Sequence, residues 1–266
     1  GLNRMGDDTI VRLDRELPAF GSYALNVAEL LPDLAWPEQI EIRAGKHFVR
    51  PRYEITNAKT GRSRISHPNV ERVDLKADPK IAELSNHLGK SYILPAPVLP
   101  MAEFSSLALP TPMSTAQENL PLALAVYNPD GQEVARHRFG CLPRDHTDCL
   151  LLDGLVNRSL GEGYGHMELI YDFADGGGAD GWLHGLFRYQ HRESGHQAET
   201  SFGAHIFNTV LTYRNEPQSY TGPAPGLSTK LFLRLGAAPL ETMCHLIYPA
   251  SSPWHSKSNT DLMLIG

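Results

Sequence analysis

The sequence predicts an all-β protein made of two tandem antiparallel β-sandwiches, immunoglobulin-like or jelly-roll-like, with few and short helices. Three observations lead there. Apolar residues recur in short alternating runs, the pattern of strands with one buried face. The 23 Gly and 20 Pro punctuate those runs, and no long amphipathic segments alternate with them as a parallel α/β fold would require. Short motifs also recur in the same order in the two halves of the chain, which points to an internal duplication.

The repeated motifs are specific. Phe20-Gly21-Ser22-Tyr23 matches Tyr164-Gly165-His166-Met167, and Arg52-Tyr53-Glu54 with Gly61 beyond it matches Arg188-Tyr189-Gln190 with Gly195 beyond it. His67-Pro68-Asn69-Val70 is echoed by the stretch from His205 to Val210, the Pro-rich 110–115 by 223–229, and Thr147-Asp148 by Thr260-Asp261. On this reading residues 1–155 are the first sandwich and 156–266 the second. The polar, glycine-rich stretch 153–163 joins them.

The elements follow from local pattern. A helical turn is expected within 22–31. In 39–55 the apolar Ile40, Ile42, Val49, Tyr53 and Ile55 stand among charges, a half-buried strand pattern with a break at Gly45 that suits a turn or a bulge. Asp78 before Pro79 is an N-cap followed by proline at the first helical position, predicting a short helix over 79–87 that Gly89 stops. Residues 122–126 and 134–139 form a hairpin around Tyr127-Asn128-Pro129-Asp130-Gly131, where proline fixes one dihedral and glycine accepts a positive φ. A strand over 167–173 is expected to pair with its return over 182–189 after the flexible 175–181. Further strands are expected over 201–213, 229–235, 242–248 and 261–265.

Composition excludes several functions. With 41% hydrophobic and 20% charged residues in 266, the chain can bury a core. A net charge of -6 and a pI near 6.1 oppose nonspecific nucleic-acid binding, which needs a basic surface. One local exception runs from Arg43 to Arg72, where eight Lys or Arg face two acids and Lys46, Arg50, Arg52 and Glu54 share one strand face. No apolar run reaches the length of a membrane span, and residues 1–20 are too charged for a secretory signal, so the default expectation is cytoplasmic. Cys141, Cys149 and Cys244 are too few and scattered for a disulfide framework or a four-Cys zinc site.

Seven of the twelve histidines lie beyond residue 155, and two constellations there could carry chemistry. In the first, alternation puts Trp182, His184 and Arg188 on one face of a strand and Leu183, Phe187 and Tyr189 on the other. A flat ring beside donors suits a sugar or a planar anion, and Trp254 and His255 could add a second aromatic edge. In the second, His166 and Glu168 share a strand face and His205 could complete a 2-His-1-carboxylate iron site, with Arg214 beyond it for an anionic cosubstrate. His67 and His205 are matched between the copies, which favours a shared structural role. Nucleophile and phosphate-loop motifs are missing. The sequence therefore favours a noncatalytic recognition protein binding a carbohydrate or similar polar ligand. The alternatives are a metal-dependent jelly-roll enzyme of the iron oxygenase type and a structural or assembly module.

Overall fold

A computed structural model describes residues 2–7, 10–12, 16–43, 51–68, 73, 76–77, 79, 93–112, 114, 116–156, 160, 163–180, 182–205, 212–213, 216–217 and 236–247. Side chains are described throughout these except at 93–94, 182, 202–205, 212–213 and 216–217. The protein is all-β and antiparallel in every described strand pair. Its one described α-helix, α1 Val27–Leu30, is a single turn capped by Asn26, whose side chain accepts from the Ala28 amide.

Strands β1 Leu2–Arg4 and β2 Ile40–Ile42 pair near the N-terminus, and β3 Tyr53–Thr56 and β4 Ser63–Ser66 form a hairpin. The centre is two four-stranded sheets. One takes β5 Ile93–Val98, β10 Gly165–Tyr171, β7 Asn119–Tyr127 and β8 Glu133–Pro143, in that spatial order. The other takes β12 Gln197–His205, β11 Trp182–His191, β6 Phe104–Thr111 and β9 Leu150–Leu151. Two short strands, β13 Thr212–Tyr213 and β14 Glu216–Pro217, pair separately.

Period-two alternation decides what lies between the sheets. From the first sheet Ala96, Val98, Leu122, Leu124, Val126, Leu142, Met167, Leu169 and Tyr171 turn inward, and from the second Ala108, Leu183, Phe187 and Tyr189 meet them in one core. Tyr189 buries its ring there and donates its hydroxyl to the Pro97 carbonyl at 2.8 Å, so its polar end is satisfied across the two sheets. Burial pushes the Tyr189 phenol well above its usual range.

The expected hairpin over 122–126 and 134–139 is present as β7 and β8. Gly131 sits at φ +79° in its turn, and Asn128 closes that turn by donating its amide to the Gln132 carbonyl at 3.0 Å. The expected return over 182–189 takes another course. The strand over 167–173, β10, pairs with β5 and β7, whereas β11 pairs with β6 and β12 in the opposite sheet. The connection, described over 172–180, passes from the first sheet to the second, since Met167 and Leu169 share one core with Leu183 and Phe187. Gly177 makes that crossing possible: it holds φ +94°, and a Cβ there would lie 2.9 Å from the Cys141 sulfur.

The duplication is not visible as two sandwiches among the described residues. Each four-stranded sheet takes strands from both sides of 153–163, so that stretch connects strands of one core. What does recur is a hairpin turn. Asn57 to Arg62 and His191 to His196 close with the same pair of hydrogen bonds, residue one accepting from residue five and donating to residue six, with Gly61 and Gly195 at φ +67° and +64°. Turn chemistry therefore explains the repeated glycine. Arg52 and Arg188 are not equivalent: Arg52 is exposed and donates to the neighbouring Pro51 carbonyl, whereas Arg188 lies at the middle of a sheet face. Of the strand expected over 242–248, residues 242–247 pair with no strand among the described residues and are mostly exposed. Most of the helix expected over 79–87, and the strands expected over 229–235 and 261–265, lie outside the described residues.

Phe187 is fully buried between the two sheets. Phe187→Ala is expected to destabilise the protein by about 3–5 kcal/mol, the range for truncating a buried aromatic, measured by urea denaturation with the slope unchanged.

Candidate functional site

The outer face of β11 and β12 collects the polar residues that alternation excludes from the core. The register pairs Gln190 with Gln197, Arg188 with Glu199, Leu186 with Ser201 and His184 with Gly203. The hairpin β3–β4 lies across this face. Arg62 donates to the Ser194 carbonyl at 3.1 Å and His67 Nε2 meets Ser201 Oγ at 3.3 Å, so the two hairpins are stacked along their length.

Glu199 is at the centre, its side chain only 1% exposed. Its Oε2 accepts from Arg64 Nε at 2.9 Å and from Arg188 Nε at 3.0 Å, and its Oε1 accepts from the Tyr53 hydroxyl. Burial pushes the carboxyl upward, but the Tyr53 hydrogen bond and the two guanidiniums outweigh it and hold Glu199 below the usual carboxylate range. Burial and the hydrogen bond to Glu199 push the Tyr53 phenol up to about 12, so it stays a donor. Arg64 is lowered, first by burial and then by repulsion from Arg188. Two guanidiniums thus share one carboxylate.

Beside this network lies a cleft of about 210 Å³ lined by Trp36, Ser105, Leu107, Leu151, Arg188, Gln190 and Gln197. Trp36 belongs to the loop before β2, where the Glu38 amide donates to the Ala35 carbonyl at 2.9 Å and Glu38 pairs with Arg4 at 3.2 Å. The Arg188 guanidinium packs 4.4 Å from the Trp36 ring centroid, a cation–π contact. Trp36 nevertheless remains 59% exposed.

The predicted residues are placed as follows. Arg188 lines the cleft. His184 shares its strand face but is 4% exposed, with Nδ1 bonded to the Thr111 hydroxyl; burial, with a smaller contribution from His67, pushes its pKa from 6.5 down to about 4. It is a neutral, buried histidine set back from the cleft. The side chains of Trp182 and His205, together with Trp254, His255 and Arg214, lie outside the described residues. His166 and Glu168 do come together, Nε2 to Oε1 at 3.0 Å, with His166 stacked on Tyr127 at 5.0 Å. They stand on the outer face of the first sheet, while His205 ends a strand of the second sheet across the core. Among the described residues no group of three His, Cys, Asp or Glu is disposed to hold a metal ion. His67 meets Ser201, but its Nδ1 lies 3.3 Å from the Pro68 carbonyl rather than against an orienting carboxylate.

Sequence reasoning missed Trp36, Tyr53, Arg64 and Glu199 as site residues. For Glu199 a signal existed, since closing a turn at Gly195 places it directly opposite Arg188. Arg64 belongs to the basic run from Arg43 to Arg72. For Trp36 no local pattern tells that its loop folds over Arg188. No known family model matches the chain, nor does any curated protein or solved structure.

Two outcomes follow. Glu199→Gln leaves two buried guanidiniums without their anion, so it is expected to cost about 3–5 kcal/mol and to speed hydrogen exchange first at the amides of 53–56 and 63–66. For His184 the folded value is depressed, so the unfolded chain binds the extra proton between pH 6.5 and about 4. Stability is full above pH 6.5 and falls as pH drops through that window, by about 3 kcal/mol in all. Thermal unfolding against pH checks this, and His184→Gln should flatten the slope between those values.

Proposed function

We propose that the protein is a noncatalytic recognition protein that binds a carbohydrate or a similar polar ligand on the outer face of the sheet formed by β12, β11, β6 and β9. The observation that carries this reading is the cleft at Trp36 and Arg188. An exposed indole, a guanidinium, two amides and a hydroxyl surround a leucine floor, the combination of a stacking surface and directional polar groups that a sugar ring requires. At about 210 Å³ the cleft is below the roughly 300–1,000 Å³ of sites for drug-sized ligands. It is sized for one residue of a larger ligand.

Recognition is favoured over catalysis by how the polar groups are spent. Glu199 is ionised and fully engaged by three donors, which suits a structural anion rather than an acid or base. His166 and Glu168 bond each other on the far sheet, and His184 is enclosed.

Trp36→Ala tests the reading. Because Trp36 is 59% exposed, its removal should lower the melting temperature by only a few degrees, as expected for a loss of about 1 kcal/mol. Glycan-array binding, by contrast, should fall to background. Undiminished binding in that variant, or a natural-sequence protein that binds no glycan on the array, would refute the assignment.

A further inference from the structure

We infer that the cleft takes a saccharide through a carboxylate, so its ligand is an acidic sugar such as a uronate. The inference rests on the cleft being the recognition site and adds the charge of what it recognises.

Donors run in a chain through the network. Arg64 can only donate, and its Nη1 donates to Gln197 Oε1. That fixes the amide orientation of Gln197, whose Nε2 then donates to Gln190 Oε1 at 2.7 Å. Gln190 Oε1 accepts that bond, which assigns the other end of the amide as its NH₂ group on a residue that lines the cleft. Arg188 gives Nε to Glu199, and its Nη groups have no acceptor among the described residues. Ser105 adds a hydroxyl. The guanidinium and the amides are thus oriented to offer donors, and the side-chain oxygens of Glu199, Gln197 and Gln190 already accept inside the network.

Charge points the same way. Arg64 and Arg188 share the carboxylate Glu199, which leaves one positive charge uncompensated in the network among the described residues, and Arg188 carries its open edge into the cleft. A neutral sugar offers hydroxyls that both give and take hydrogen bonds. This lining offers their protons fewer acceptors than it offers donors, whereas a carboxylate can accept from Arg188 Nη and Gln190 Nε2 together. Trp36 and the floor of Leu107 and Leu151 supply the apolar surface for the ring carbons, which an inorganic anion would not use.

The test is calorimetric titration of the full chain with glucuronate and galacturonate oligosaccharides, the matching glucose and galactose oligosaccharides, and inorganic phosphate. Acidic oligosaccharides should bind about tenfold or more tightly than neutral ones, the scale of one charge-assisted hydrogen bond, and should weaken with added salt. Gln190→Glu reverses a donor at an exposed position and should erase that preference without changing the melting temperature. Equal affinity for acidic and neutral sugars, or a preference that survives Gln190→Glu, overturns the carboxylate assignment and leaves the cleft as a glycan site. Phosphate binding as tightly as the uronates overturns the saccharide part of the assignment. If neither sugar class binds, the recognition reading falls along with it.

Discussion

One buried carboxylate fixes the relation between the two hairpins. Glu199 points away from the hydrophobic core, where a strand residue normally meets water, yet it is almost fully enclosed because β3–β4 covers it. An ionised group in that position is tolerable only when paired and hydrogen-bonded, and the covering hairpin brings the partners, Tyr53 on one strand and Arg64 on the other. The dependence is mutual. A lone two-stranded hairpin is at best marginally stable in water, so β3–β4 needs the sheet face as much as Glu199 needs its donors. Arg188 closes the arrangement from the sheet's own side, and Trp36 closes it from the loop before β2.

How much of this was legible in the sequence divides along a physical line. Alternation reports which residues share a face, and it placed Leu183, Phe187 and Tyr189 in the core and His184 with Arg188 outside it. It does not report which strand is the neighbour. Hence β7 and β8 were readable, since a proline and a glycine in five residues define their turn, while β10 and β11 looked like a second hairpin although their connection crosses between sheets. The repeated motifs illustrate the same limit. Gly61 and Gly195 close turns of identical hydrogen bonding, and similar turns demand similar residues whether or not the surrounding folds are copies.

The site was half legible for the same reason. Arg188 announced itself by its strand face, and Glu199 follows from the turn register. Trp36 and Tyr53 reach the site only through tertiary packing, one from a proline-flanked loop and the other from a hairpin whose own pattern is half polar. His184 misled because sharing a face with Arg188 does not imply sharing its exposure: His184 is enclosed and bonded to Thr111 of β6, whereas Arg188 opens onto the cleft.

That graded exposure gives Arg188 its character. Along the outer face the row runs from enclosed His184, through the ionic network, to exposed Gln190. Arg188 stands where dry surroundings give way to wet. Its Nε side is held by Glu199 in a medium where charges interact more strongly than in water, and its flat face is held by Trp36. A guanidinium on a free surface must be ordered when a ligand arrives, at about 0.5–1.5 kcal/mol for a long side chain. Here that ordering has already occurred on folding, so a ligand meets donors fixed in position. The same buried carboxylate that docks the hairpin therefore also sets the orientation of the group best placed to recognise a ligand.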